Sequence, residues 1–192
     1  MCAKTATGTS ARERLLDAAN ELFYAEGVHT VGIDRVIERA GVAKASLYNT
    51  FGSKDELVRA YLQGRHARTA ARVARWVERS DDPRRRLLAV FDAQGEMFAD
   101  PEFRGCAFAS ASAESPGEAV SSATEDYRSW MRGVFTGLAR EAGAPEPEKL
   151  ARQLHMVYDG AGLSMRMDHD RSAAAAARAA AATLLDAALA GR

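Results

Sequence analysis

Between Ala43 and Leu57 the chain reads AKASLYNTFGSKDEL, and two lysines, three aliphatic hydroxyls, a Tyr and an Asn crowd into that stretch. Ammonium, hydroxyl and phenol groups donate hydrogen bonds to phosphate oxygens. An Asn both donates and accepts, as the edge of a base requires. Catalysis calls for other arrangements. No nucleophile elbow, zinc-binding H-E-x-x-H or phosphate-binding loop occurs in the sequence, so neither an enzyme nor a bound cofactor is expected.

The two lysines stand where a helix favours them least. Ser53 and Glu56 have capping-box spacing, which makes Lys54 the first residue of a helix, and Lys44 falls in the first turn of the helix before it. A cation at either point is disfavoured by about 0.3–1 kcal/mol, because a helix N-terminus already carries positive partial charge. A phosphate at each would turn the penalty into a joint site of amides and ammonium. The competing reading of charge placement alone is a pair of solvated lysines. Leu47 and Phe51, four apart, supply the inner face that leaves the polar groups outside.

Positioning that stretch requires helices, and the apolar residues recur at helical spacing almost throughout. An all-α protein of about nine helices is expected. Ser10 with Glu13 opens the first, whose Leu15, Ala19, Leu22 and Phe23 share a face, and Gly27 ends it. A second runs from Ile33 to Gly41, and the segment AGVAK joins it to the helix from Lys44 to Phe51 as a helix-turn-helix. A long fourth helix follows Ser53. Asp82 and Pro83 start the next, which ends near Asp100. A segment from Phe103 to Glu114, a helix after Ser115 and Pro116, and two more over 147–168 and 172–190 complete the chain. The last is nearly all alanine, with Leu184, Leu185 and Leu189 extending an apolar face.

The whole chain balances 26 basic against 26 acidic residues, which at first argues against a polyanionic partner. The balance hides an asymmetry: residues 1–75 hold 12 Lys and Arg against 8 Asp and Glu, and residues 76–192 hold 14 against 18. A basic front and an acidic back fit an anion-binding module followed by a domain with different work. Cys2 and Cys106 lie far apart, so no disulfide framework is indicated, and residues 1–9 read as disordered with no signal-peptide core. No apolar run of about 18 residues is seen, so a cytoplasmic protein without a membrane partner is expected.

Residues 13–62, with their first-helix apolars, Gly27, AGVAK, LYNTF and SKDEL in register, resemble the DNA-binding domain of the TetR (tetracycline repressor-like) family of bacterial transcriptional regulators. The resemblance implies a helix-turn-helix domain over 10–55 and a helical ligand-binding and dimerisation domain over 56–192. It implies a double-stranded DNA operator, a second copy of the chain and a small-molecule effector as partners. Carried onto this sequence, Lys44, Ser46, Tyr48, Asn49, Thr50 and Lys54 become DNA contacts, with the third helix in the major groove and the start of the fourth on a phosphate. Two positions depart from the family pattern: Ala43 replaces a frequent Ser cap, and Thr50 a frequent His.

Beyond residue 62 the pattern thins. FRGCAFASASAE, residues 103–114, looks like the opening of the sixth helix in one branch of these regulators. Apolar and aromatic residues with a few polar ones could line an effector pocket: Phe91, Met97, Phe98, Cys106, Phe108, Tyr127, Met131, His155 and Tyr158. Each also fits plain core, and Cys106 reads more readily as a buried small hydrophobe than as a sensor thiol. His155, Asp159, Asp168, His169 and Asp170 form no compact metal-ligand set. Gly160, Ala161 and Gly162 with Val157, Leu184, Leu185 and Leu189 would let helices of two subunits approach closely. Arg65, Arg68, Arg72, Arg75 and Arg79 share a face of the fourth helix. Arg75 lies about 30 Å along the axis from Lys54, too far to extend a DNA footprint, and a solvated or acid-paired row is expected. Together these readings describe a homodimeric repressor released from a palindromic operator by a ligand. The alternative is an effector-independent DNA-binding or adaptor protein with a filled C-terminal core.

Overall fold

The computed structural model of the chain describes residues 9–190, and these form nine α-helices. Cys2 and the expected disordered segment lie outside the described residues but for Thr9, whose carbonyl accepts from the Arg14 guanidinium at 2.7 Å. Close packing divides the helices into two units. Among the described residues, one holds 9–64 together with 107–123; the other holds 65–106 and 124–190. The sixth helix and the start of the seventh pack with the front of the chain.

In the first unit, α1 (Ala11–Glu26) begins at the expected capping box. Ser10 Oγ accepts from the Glu13 amide at 3.2 Å and the Glu13 carboxylate accepts from the Ser10 amide at 2.7 Å. Leu15, Ala18, Ala19, Leu22 and Phe23 face the core, and Gly27 ends the helix at φ +94°. α2 (Ile33–Ala40) buries Val36 and Ala40 and stops at Gly41, which takes the left-handed conformation that glycine adopts without steric cost. α3 (Lys44–Phe51) packs on both. Leu57, Val58, Tyr61 and Leu62 at the start of α4 (Lys54–Val77) complete the core, with the Tyr61 ring edge-on to Phe23 at 5.6 Å. Short α6 (Ala107–Glu114) adds Ala107, Phe108 and Ala111.

The second unit holds the rest of α4, α5 (Pro83–Ala99), most of α7 (Glu118–Glu141), α8 (Pro147–Asp168) and α9 (Ala173–Ala190). Asp82 caps α5 by accepting from the Arg85 amide at 2.7 Å, with Pro83 at the first helical position. The alanines of α9 are structural: Ala173, Ala174, Ala177, Ala181 and Leu185 are buried, and Ala174 approaches Gly95 of α5 so closely that a methyl added there would sit 3.6 Å away. Contrary to the expectation of no such run, α9 is long and apolar enough, by length and composition alone, to cross a membrane. Its two charges are tied to α5 instead, Arg178 to Asp92 at 2.9 Å and Asp186 to Arg84 at 2.8 Å.

Two arginines of the α4 row are acid-paired as expected, and Arg79 falls just past the end of the helix. Arg72 and Arg75 pair with Glu96, at 3.6 and 2.5 Å, and Arg79 lies 3.7 Å over the Trp76 ring.

Candidate nucleic-acid interface

Burial sorts α3 into two faces. Leu47 is fully buried, and Phe51 is half-buried with the Arg12 guanidinium 5.7 Å above its ring. Burying a leucine of this kind contributes about 1.5–3 kcal/mol, enough to fix which way the helix faces. Lys44, Tyr48, Asn49 and Thr50 are then left exposed, with Ser46 half-buried beside them. Tyr48 stands out with 46% of its surface in solvent, because a large ring placed there gains no burial in the chain itself. The cap of α3 is weak, as its sequence implies: Ala43 offers no side-chain acceptor, and the amides of the first turn are left to other partners.

Ser53 accepts from the Glu56 amide at 3.1 Å, so Lys54 does stand at the first position of α4, half-buried at the helix mouth. Lys44 is placed less simply. Its ammonium donates to Asp34 in the first turn of α2 at 2.9 Å, and that hydrogen bond and charge hold the lysine above its ordinary pKa. Both partners are largely exposed, so the pair adds little stability and a phosphate can compete for the ammonium. Thr50 donates its hydroxyl proton to the Ser46 carbonyl at 2.6 Å, leaving that hydroxyl only its acceptor lone pairs for anything outside. Asp34 was not legible as a partner of Lys44, since the two lie on different helices; only the packing of α2 beside α3 joins them.

The residues expected around an effector separate in the structure. Phe91, Tyr158 and the buried Phe135 form a ring cluster with centroids 5.7–6.1 Å apart, and His155 stacks beside Phe135 at 6.5 Å. Met131 is fully buried in the same unit. Tyr127 and Tyr158 share a hydrogen bond; burial, with the neighbouring Cys106 adding to it, pushes both phenols well above their ordinary range. Burial also lowers the His155 pKa, partly offset by Asp159, 3.6 Å away. Phe98 packs on Phe103 at 5.1 Å, and Met97 is half-buried. Phe108 falls in the first unit, on α6. Cys106 is exposed rather than buried, and the residue before it, Gly105, is buried at φ +102° against the Arg166 side chain.

Gln94 was overlooked in the sequence. It is 2% exposed, donates to the Tyr158 carbonyl at 2.8 Å, and keeps its own Oε1 buried without a hydrogen-bond partner; His155 Nε2 is in the same position. A signal was present, for Gln94 interrupts the apolar stripe of Leu87, Phe91 and Phe98 at helical spacing. His66 of α4 was also missed. It meets the Trp130 ring at 4.9 Å and the Tyr127 ring at 5.6 Å, and burial lowers its pKa.

Comparison with known proteins places this geometry. Residues 15–61 match the family described as bacterial regulatory proteins, tetR family. The crystal structure of a TetR-family transcriptional regulator from Streptomyces coelicolor superposes with a TM-score of 0.86 at 34% identity, covering 93% of this chain and 95% of that one. A second such regulator, from Streptomyces avermitilis, gives 0.80 at 36% identity over 94% and 98%. Among curated relatives, the transcriptional activator FasR of Mycolicibacterium smegmatis is 40% identical over 82 residues, and this match spans 37% of that protein's length and 43% of this chain. The buried Leu47 beneath an outward polar face, the capped start of α4 and a likeness running the length of the Streptomyces proteins lead to one assignment. The chain belongs to the tetR family, whose members are DNA-binding transcriptional regulators and not enzymes.

Proposed function

We propose that the chain is a homodimeric, sequence-specific DNA-binding regulator that acts inside the cell, as a repressor released from a palindromic operator by a small molecule. The outward face of α3 carries the reading: Lys44, Ser46 and Tyr48 suit phosphate oxygens, Asn49 a base edge, and Lys54 at the mouth of α4 a further phosphate. Thr50, with its proton committed to Ser46, is the weakest of the six contacts.

A second copy is supported by α8. Met156, Leu163 and Met167, at 73%, 58% and 69% exposure, lie seven and four residues apart, so they form one apolar stripe with Gly160. Two copies joined through α8 and α9 would present their reading helices to successive major grooves about 34–36 Å apart. An effector is supported by Gln94 Oε1, buried without a hydrogen-bond partner, and by His155 Nε2, buried with no hydrogen bond and only Asp159 near it at 3.6 Å; burial of such groups costs stability until something bonds to them. The ligand need only prefer one of two states of the dimer to change its DNA affinity.

Selection of bound fragments from a random DNA pool tests the reading. A two-fold sequence should be enriched, and sedimentation at micromolar concentration should give a dimer. A monomer that enriches no sequence would sink it. Compounds that release the selected DNA would separate the ligand-controlled regulator from an adaptor with a filled core.

A further inference from the structure

We propose that Glu114 is a positioning residue for DNA binding, holding the turn between α1 and α2 so that α6 sets where the reading helix stands. The inference rests on the DNA-binding reading above. Glu114 is the last residue of α6, and a carboxylate there meets the negative end of the helix dipole. It therefore needs a compensating donor, and it has one 85 residues away in sequence: its Oε2 accepts from the backbone amide of His29 at 3.3 Å.

The contact is also shaped. A methyl built on Gly27 would fall 2.8 Å from both Cδ and Oε1 of Glu114, and Gly27 sits at φ +94°, so the carboxyl group fills the space that any side chain would take. The turn it covers is short and closed, with the Val31 amide donating to the Gly27 carbonyl at 3.3 Å, and Gly32 then starts α2. From α2 the constraint passes directly to α3 through helix packing. Consistent with this, α6 packs within the same compact unit as α1 to α3, far from where its place in the sequence would put it.

The test compares Glu114→Ala with Glu114→Gln, which keeps an acceptor for His29. Operator selected by the wild-type chain should bind the alanine variant roughly three- to tenfold more weakly, the range that loss of one such hydrogen bond supports. The glutamine variant should stay within about twofold of wild type on the same scale. The slope of affinity against salt should not change in either, because no phosphate contact is lost. His29 amide exchange should quicken in Glu114→Ala only. In Gly27→Ala binding should fall further, and adding Glu114→Ala to it should restore part of the loss. If the alanine variant does not fold, Glu114→Asp, which withdraws the charge by one methylene, takes its place.

Unchanged affinity and exchange in Glu114→Ala would overturn the proposal. So would tighter binding in both variants, which would mean that the carboxylate acts on DNA by repulsion. Should the wild-type chain select no DNA, the regulator reading fails, and the His29 exchange comparison still decides whether the contact holds the turn.

Discussion

The outward faces of α3 and α8 both show large side chains to solvent, and they differ in every other respect. On α3 the exposed ring of Tyr48 ends in a hydroxyl and stands among Lys44, Asn49 and Thr50. On α8 the exposed large apolar groups are Met156, Leu163 and Met167, in line with Gly160. A wet, polar, cationic face gains nothing by meeting another protein core, and it gains counterion release by meeting phosphates. An apolar stripe with a gap for close approach gains by being covered. The two faces therefore ask for two kinds of partner, DNA and a second copy, and the second multiplies the work of the first.

Substitutions can break that contrast in order of size. The largest effect is expected from Leu163→Arg, since a two-fold interface meets each change twice and a buried unpaired charge is costly. Dimer affinity should drop roughly 100-fold or more, read by sedimentation, and operator binding should go with it. A variant that stays dimeric would move the interface elsewhere. Asn49→Ala comes next: it should cost about 1–3 kcal/mol at one base position and relax preference there, measured by repeating the selection. Uniform loss on all sequences would instead place Asn49 on the backbone. Lys54→Ala should weaken binding to every sequence modestly and reduce the salt slope by about one for each phosphate lost.

Smaller still, Asp34→Ala should strengthen DNA binding about two- to fivefold by removing the competitor for Lys44, provided that the pair is worth what exposed ion pairs usually are. The last test separates the regions by pH. Among the described residues the buried polar side chains, Gln94 and His155, both lie in the second unit, and His66 is half-buried there. Burial lowers the pKa of both histidines in the folded chain, so the unfolded chain takes up protons first as pH falls. Their contribution is whole above about pH 6.5, the ordinary histidine value, and is lost as pH falls through the lowered ones. Calorimetric melting temperatures should decline between pH 7 and pH 5, and His155→Gln should flatten the decline.

How far the sequence can be read depends on how local the cause is. Ser10 with Glu13, Asp82 with Pro83, and Gly41 announce helix ends because capping is decided within a few residues, and the structure has each of those ends. The inward turn of Leu47 was equally legible from spacing. The exposure of Cys106 was not, since it sits in a loop whose neighbouring Gly105 packs against Arg166, 61 positions on by numbering. Nor was the company α6 keeps, because nothing in FRGCAFASASAE says that Glu114 will find the amide of His29. Phe135 passed unremarked in an ordinary helical stripe until three helices brought it against Phe91, His155 and Tyr158.

The chain has two tryptophans, and both lie in the second unit: Trp76 gives its indole proton to Glu96 under the Arg79 guanidinium, and Trp130 leans on His66. Intrinsic emission excited at the red edge of protein absorption therefore originates in the rear helices alone. Events confined to the reading head should leave that light unchanged, while a molecule entering among Tyr127, His155 and Tyr158 should alter its intensity or colour. The unmodified protein thus carries its own optical probe for the unit proposed to take an effector.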